Sequence, residues 1–356
     1  MKITLKNIGV FKQAEYELGD FTIICGKNNT GKTYATYTLF GFFDFWKEGY
    51  QIKIDNSYTE ILFEKGAVSI PLNGFVKKSN EIIKDACEEY KKYIPKMLGG
   101  QEKYFTNASL DVKIEEKDLI VIDSYTTGFK SAKNEILQIV KESGKNELSV
   151  SLLMEANEIS LRTNIRIAIS DAIKDIIFGK ILSNSYIASV ERTGAAIFMS
   201  DLDFERNRMI EALSSKDENI IKSLSEKLFE INYALPVRRN LDFIRMLERI
   251  TKLESQISKM NPEIIDYFKE IVGGDYRVDR EGLWFVPQKT RGVKLGMGES
   301  SSSARSLLDV GFYLKHIAQK GDLLMIDEPE LNLHPENQRK LARLLVKLVN
   351  IGIKVF

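Results

Sequence analysis

The side chains best suited to chemistry lie near the two ends of this 356-residue chain. Gly26-Lys27-Asn28-Asn29-Thr30-Gly31-Lys32-Thr33 fits the phosphate-loop pattern G-x-x-x-x-G-K-[ST]. An apolar run, Phe21 to Cys25, precedes it and a helical pattern starts at Lys32, which is the strand, loop and helix order the motif needs. In such a turn, backbone N–H groups and the positive end of the helix surround phosphate oxygens. Gly26, Asn28, Asn29, Thr30 and Gly31 form the cradle, with glycine at 26 and 31 to admit the phosphate and permit the turn. Lys32 is expected to reach the β- and γ-phosphates, and the Thr33 hydroxyl to hold Mg²⁺. The predicted cofactors are ATP and Mg²⁺.

The second group is Leu323-Leu324-Met325-Ile326-Asp327-Glu328-Pro329, four apolar residues of a buried strand ending in two acids. Adjacent carboxylates at a buried strand tip are costly unless a cation or hydrogen bonds compensate them. Asp327 fits a Mg²⁺ ligand, and Glu328 a carboxylate that orients or deprotonates an attacking water. Glu328 and Lys32 are therefore the candidate catalytic pair, and Thr33 and Asp327 the candidate metal ligands. Nearly the whole chain separates the two motifs, which is too far for a compact kinase or small GTPase and suits a head interrupted by a large insertion.

These residues resemble the ABC-type P-loop ATPases of the RecF/SMC/OLD-like group. The likeness rests on Gly26-x-Asn28-x-x-Gly31-Lys32-Thr33, the Ser-rich turn from Glu299 to Arg305, and Asp327-Glu328-Pro329-Glu330-Leu331-Asn332-Leu333-His334-Pro335. Asp-Glu-Pro-Glu with Leu-His-Pro is typical of the AAA-15/AAA-21 and OLD branches, and Leu5-Lys6-Asn7-Ile8-Gly9-Val10-Phe11 resembles their first strand. The resemblance implies a prokaryotic head that dimerises or assembles with ATP between subunits. Ser301, Ser302 and Ser303 of one subunit would meet the γ-phosphate bound by the other, and His334 would lie in the inter-subunit loop. Ser303 stands where the family has glycine. The family's switch histidine has no counterpart in this sequence, so we expect the natural chain to continue past residue 356.

The resemblance further implies an ATPase that couples nucleotide state to a protein effector, a nuclease or toxin, in antiphage defence. A RecF-like repair ATPase stimulated by DNA, and a slow-hydrolysing scaffold that holds an effector inactive, stay open as alternatives. Glu191-Arg192-Thr193-Gly194 resembles another recurrent family segment. Arg192 reads either as a nucleotide or partner contact or as a solvated turn charge.

The elements that must position these groups imply an α/β fold: an ABC-type head, a mixed sheet with the phosphate loop, carrying a mainly helical insertion. Residues 1–127 are the first part of the head, 128–270 the insertion with a head strand near 186–190, and 271–356 the second part, cut off in its last strand. Strands are expected at 2–6, 14–18 and 21–25, across the alternating segment 51–72, and twice between Val112 and Ile122, with Leu119–Ile122 buried. Leu241 to Met260 has the spacing of one amphipathic helix, and Ala304 to Ala318 of another. Leu39 to Trp46 reads as a buried helix face, too short for a membrane helix.

Composition narrows the choices. Fifty-one basic against 50 acidic residues leave a net charge of +1, which withholds the global basic excess of a nucleic-acid binder without excluding a local groove. Residues 288–294 and Arg238-Arg239 read as phosphate contacts or as ordinary solvated charges. Two cysteines, Cys25 and Cys87, and two histidines exclude a disulfide framework or a Cys/His-rich metal site and fit a reducing cytoplasm.

Overall fold

The computed structural model describes residues 1–130, 135–153, 159–198, 233–290 and 292–356. Strands β1 (Lys2–Ile8) and β2 (Phe11–Glu17) form an antiparallel hairpin. Its turn packs on the helix that follows the phosphate loop: a Cβ added to Gly9 would lie 2.5 Å from the Tyr34 ring. That helix, α1 (Lys32–Glu48), is buried nearly all round from Ala35 to Trp46, as a stretch dominated by aromatic and aliphatic residues dictates. Its carboxyl end is closed by the buried Lys174, whose ammonium donates to the carbonyls of Trp46, Lys47 and Tyr50. A cation there satisfies orphan carbonyls and opposes the helix dipole.

Helix α2 (Asn56–Lys65), strand β3 (Ala67–Pro71), helix α3 (Ser79–Tyr90) and strand β4 (Ser109–Lys113) follow. β4 joins the hairpin in the sheet order β2-β1-β4. Strands β5 (Tyr125–Lys130), β6 (Glu135–Lys141) and β7 (Glu147–Leu152) add to β3 in a four-stranded antiparallel sheet, β3-β7-β6-β5. Helix α4 (Ile159–Ile173) then leads through one π-helical turn to strand β8 (Ser185–Ala188).

The second half contains α5 (Leu235–Arg245), α6 (Pro262–Val272), β9 (Gly274–Asp279), β10 (Gly282–Pro287) and β11 (Leu295–Gly296). A five-residue helix α7 (Ser302–Ser306), helix α8 (Leu308–His316), strand β12 (Leu323–Ile326), helix α9 (Pro335–Asn350) and strand β13 (Lys354–Val355) complete it. β8, β12 and β13 are parallel, in the order β13-β12-β8, and Phe21 bridges to Val355 on the outer side.

This parallel sheet divides two hydrophobic cores. Leu323 and Met325 of β12 face the core built by α1, the hairpin and the four-stranded sheet. Leu324 and Ile326 face the core of α5, α6, α8 and α9. Four consecutive buried apolar residues are what a strand covered on both faces requires.

Several expectations change. Segment 51–72 holds one strand, β3, but its centre is helix α2, because Asp55 caps α2 by accepting from the Ser57 N–H and Gly66 closes it in the left-handed region. Residues 22–25 and 119–122 form no strand, and Ile23 and Ile120 are 71% and 59% exposed. Residues 125–130, 135–141 and 147–152, read in large part as the entry to the helical insertion, are β-strands. The single helix expected from Leu241 to Met260 is interrupted: Ser255 caps a new short helix, and the Leu253 side chain stays in solvent. The expected helix 304–318 breaks at Leu307. Much of the proposed insertion, residues 199–232, lies outside the described residues. Among the described residues no helix is long and apolar enough to cross a membrane.

Candidate functional site

In an open α/β sheet, ligands bind in the crevice beyond the carboxyl ends of the parallel strands. Three segments meet there: the loop 26–33 after Phe21, residues 189–192 after β8, and Asp327-Glu328 after β12. The loop turns into α1 through Asn29 and Gly31, with φ of 63° and 95°. The Thr30 hydroxyl donates to the Lys27 carbonyl at 2.8 Å. The Lys32 ammonium arches back over the loop to the carbonyls of Gly26 and Lys27, at 2.9 and 3.0 Å. Those partners are neutral, so the ammonium's charge is left for an anion.

Asp327 is 6% exposed, and one of its carboxylate oxygens, Oδ2, has no hydrogen-bond partner. Burial raises its pKa; the neighbouring Thr33 hydroxyl pulls the other way, and the charges of Glu328 and Glu191 add to the rise. An orphaned buried carboxylate oxygen beside a threonine hydroxyl fits Mg²⁺, which takes one or two carboxylates and fills its other positions with phosphate oxygens and water. Among the described residues, no three His, Cys, Asp or Glu side chains converge to hold a metal by themselves. The site therefore suits an ion that arrives with a polyphosphate. Glu328 is exposed, and its backbone is left-handed at φ 48°.

Two residues at this edge have roles that the sequence did not disclose. The Tyr37 hydroxyl, one helical turn beyond Thr33 on the same face of α1, donates to Glu191 Oε2 at 2.8 Å, so a third carboxylate is anchored near Asp327. Arg192 is neither a solvated turn charge nor exposed to nucleotide or partner: it is 1% exposed. Its Nε donates to the Ser306 carbonyl at 2.6 Å, its Nη1 to the carbonyls of Ser189 and Asp327 at 2.8 and 2.7 Å, and its Nη2 to that of Glu328 at 3.0 Å.

The Ser-rich turn is internally tied. Ser301 caps α7 by accepting from the Ala304 N–H and shares a hydrogen bond with Ser303, while Ser302 is exposed. Arg305 curls back to the Ser300 carbonyl at 2.6 Å. None of the hydrogen bonds of Ser301 and Ser303 reaches loop 26–33 of the same chain. His334 is exposed and caps α9, its Nδ1 accepting from the Glu336 N–H at 3.3 Å. Among the basic candidates, Lys294 pairs with Asp279 and Arg239 with Asp44; residue 291 lies outside the described residues.

A family model described as an AAA ATPase domain matches residues 1–356. No curated protein gives a significant match to the chain.

Proposed function

Because the chain belongs to the AAA ATPase domain family, ATP-binding and ATP-hydrolysing P-loop proteins of the RecF/SMC-like group, we propose that residues 26–33, Asp327 and Glu328 form its ATPase centre. The observation that carries this reading is that Thr33 lies beside Asp327, which brings a phosphate loop to a buried carboxylate with an unpartnered oxygen from the far end of the sequence. Loop N–H groups and Lys32 bind and orient the β- and γ-phosphates. Mg²⁺, when bound by Thr33 and Asp327, neutralises charge that develops on the transferred phosphoryl group. Glu328 lies exposed at the mouth, where a carboxylate orients a water in line with the γ-phosphate and accepts its proton.

In the same reading, two heads close on ATP, with Ser301–Ser303 and His334 of one subunit facing the nucleotide of the other. Opening and closing then act on a protein effector, a nuclease or toxin, in antiphage defence. The near-zero net charge favours protein over nucleic acid as the principal partner.

Two variants test the centre. Glu328→Gln is expected to bind ATP normally, lose at least about a hundredfold in turnover and accumulate an ATP-dependent dimer visible by light scattering. Lys32→Ala is expected to lose nucleotide binding with the fold intact by circular dichroism. Wild-type hydrolysis by either variant removes the assignment.

A further inference from the structure

The guanidinium of Arg192 spends its hydrogen bonds on main-chain carbonyls from three separate elements. Ser306 closes α7 behind the Ser-rich turn, Ser189 follows β8, and Asp327 and Glu328 are the acid pair itself. Only a planar fork with several fixed donors can hold so many carbonyls in one geometry; a lysine is a single point donor. Two of the four carbonyls belong to the acid pair, and one of those residues, Glu328, has a left-handed backbone that a non-glycine residue seldom adopts. Such a conformation persists where its surroundings over-determine it. The field of its charge reaches two buried carboxylates, Asp309, 2% exposed on α8, and Asp327.

We propose that Arg192 is a positioning residue that locks the main chain of Asp327-Glu328 to the carboxyl end of α7, so that the Ser-rich turn and the acid pair shift as one body. A subunit that engages the Ser-rich turn thereby sets the aim of Glu328 in the same chain. Arg192, 1% exposed, acts through the backbone it holds. The inference rests on the ATPase reading for its kinetic consequence, and on geometry alone for its mechanical one.

Arg192→Lys separates positioning from scaffolding. The variant keeps a buried cation opposite Asp309 but loses the fork. We expect ATP affinity, read with a fluorescent ATP analogue, to stay within about threefold of wild type, while turnover at saturating ATP falls at least about thirtyfold. Asp309→Asn, which leaves the fork in place, should keep turnover within about threefold of wild type. Wild-type turnover in Arg192→Lys overturns the proposal, and so does a parallel loss of affinity and turnover, the mark of a merely structural role.

Amide hydrogen exchange on the unmodified protein supplies the second measurement, should Arg192→Lys fail to fold. The amides of 304–307 and those of Asp327 and Leu331 are expected to open with one common free energy, and to gain protection together when a non-hydrolysable ATP analogue binds. Independent opening of the two segments overturns the proposal without touching the ATPase reading. Absence of any nucleotide binding by wild type removes that reading but leaves the common opening as a test.

Discussion

Asp309 is enclosed by Arg192, Tyr186 and Tyr276, and burial lifts its pKa from the ordinary 3.8 to about 6 despite the attraction of the arginine. The folded state therefore holds the proton more tightly than the unfolded chain does. The stability this confers is fully present below about pH 4 and is lost as pH rises through 6. Asparagine retains the acceptor for the Val310 N–H and removes the titration. Between pH 5 and pH 8, wild type should lose on the order of 1 kcal/mol more unfolding free energy than Asp309→Asn, by urea denaturation at the two pH values. Equal losses would show that Asp309 of the folded protein is already ionised at pH 5. At this scale the phosphate loop and acid pair were legible because their chemistry fixes residue type and spacing locally. Arg192 was not: whether a turn arginine is solvated or interred depends on which strands flank it, and three of its four carbonyl partners lie more than a hundred residues away. Tyr37 was hidden for the same reason, being indistinguishable in sequence from the other aromatic residues of α1.

Among the elements, the hairpin β1–β2 is the support of the phosphate loop. A Cβ built on Gly31 would lie 2.5 Å from the Phe11 ring, at a φ of 95° that already disfavours any side chain. Gly31→Ala should thus destabilise the protein by about 1–3 kcal/mol and weaken ATP binding. Phe11→Ala in the same chain should recover the part due to the clash and leave the backbone strain, so thermal melts of the two single variants and the double variant divide the two causes. Full recovery would mean that strain at Gly31 is negligible. The caps show where element reading failed and what signal was there to use. Asp55 and Gly66 bracket α2 with ordinary start and stop chemistry, yet the alternating apolar residues between them suggested strands. Ser255 likewise marks a helix start inside a pattern whose spacing alone favoured one long helix. Short apolar runs such as 22–25 lacked any local feature that separates an unpaired extended segment from a strand.

At the scale of the molecule, β12 is a wall common to both cores, and the acid pair emerges from its end. The two tryptophans report on the two sides: Trp46 packs in the first core, and Trp284 lies on β10 beside the second. Nucleotide at about a hundred times its Kd adds about 2.7 kcal/mol to the folded state. In the Glu328→Gln background with Mg²⁺ and ATP, single-tryptophan versions made by Trp46→Phe or Trp284→Phe should both melt at higher temperature, by similar amounts. A rise on one side alone would mean that the cores unfold independently. The α/β class was readable from the two end motifs. The interior arrangement was not, because the four-stranded sheet joins β3 to strands from 125–152 through pairings that no local pattern records.

The bridge from Phe21 to Val355 carries a cost in time as well as in topology. During synthesis the phosphate loop leaves the ribosome early, while the strand beside it and the acids that face it are made about 300 residues later. At 5–20 residues per second that delay is roughly 15–60 s. Throughout it, the apolar residues destined for the parallel sheet stand open to chaperones and to premature pairing, and ATP has no finished pocket in which to assist their folding.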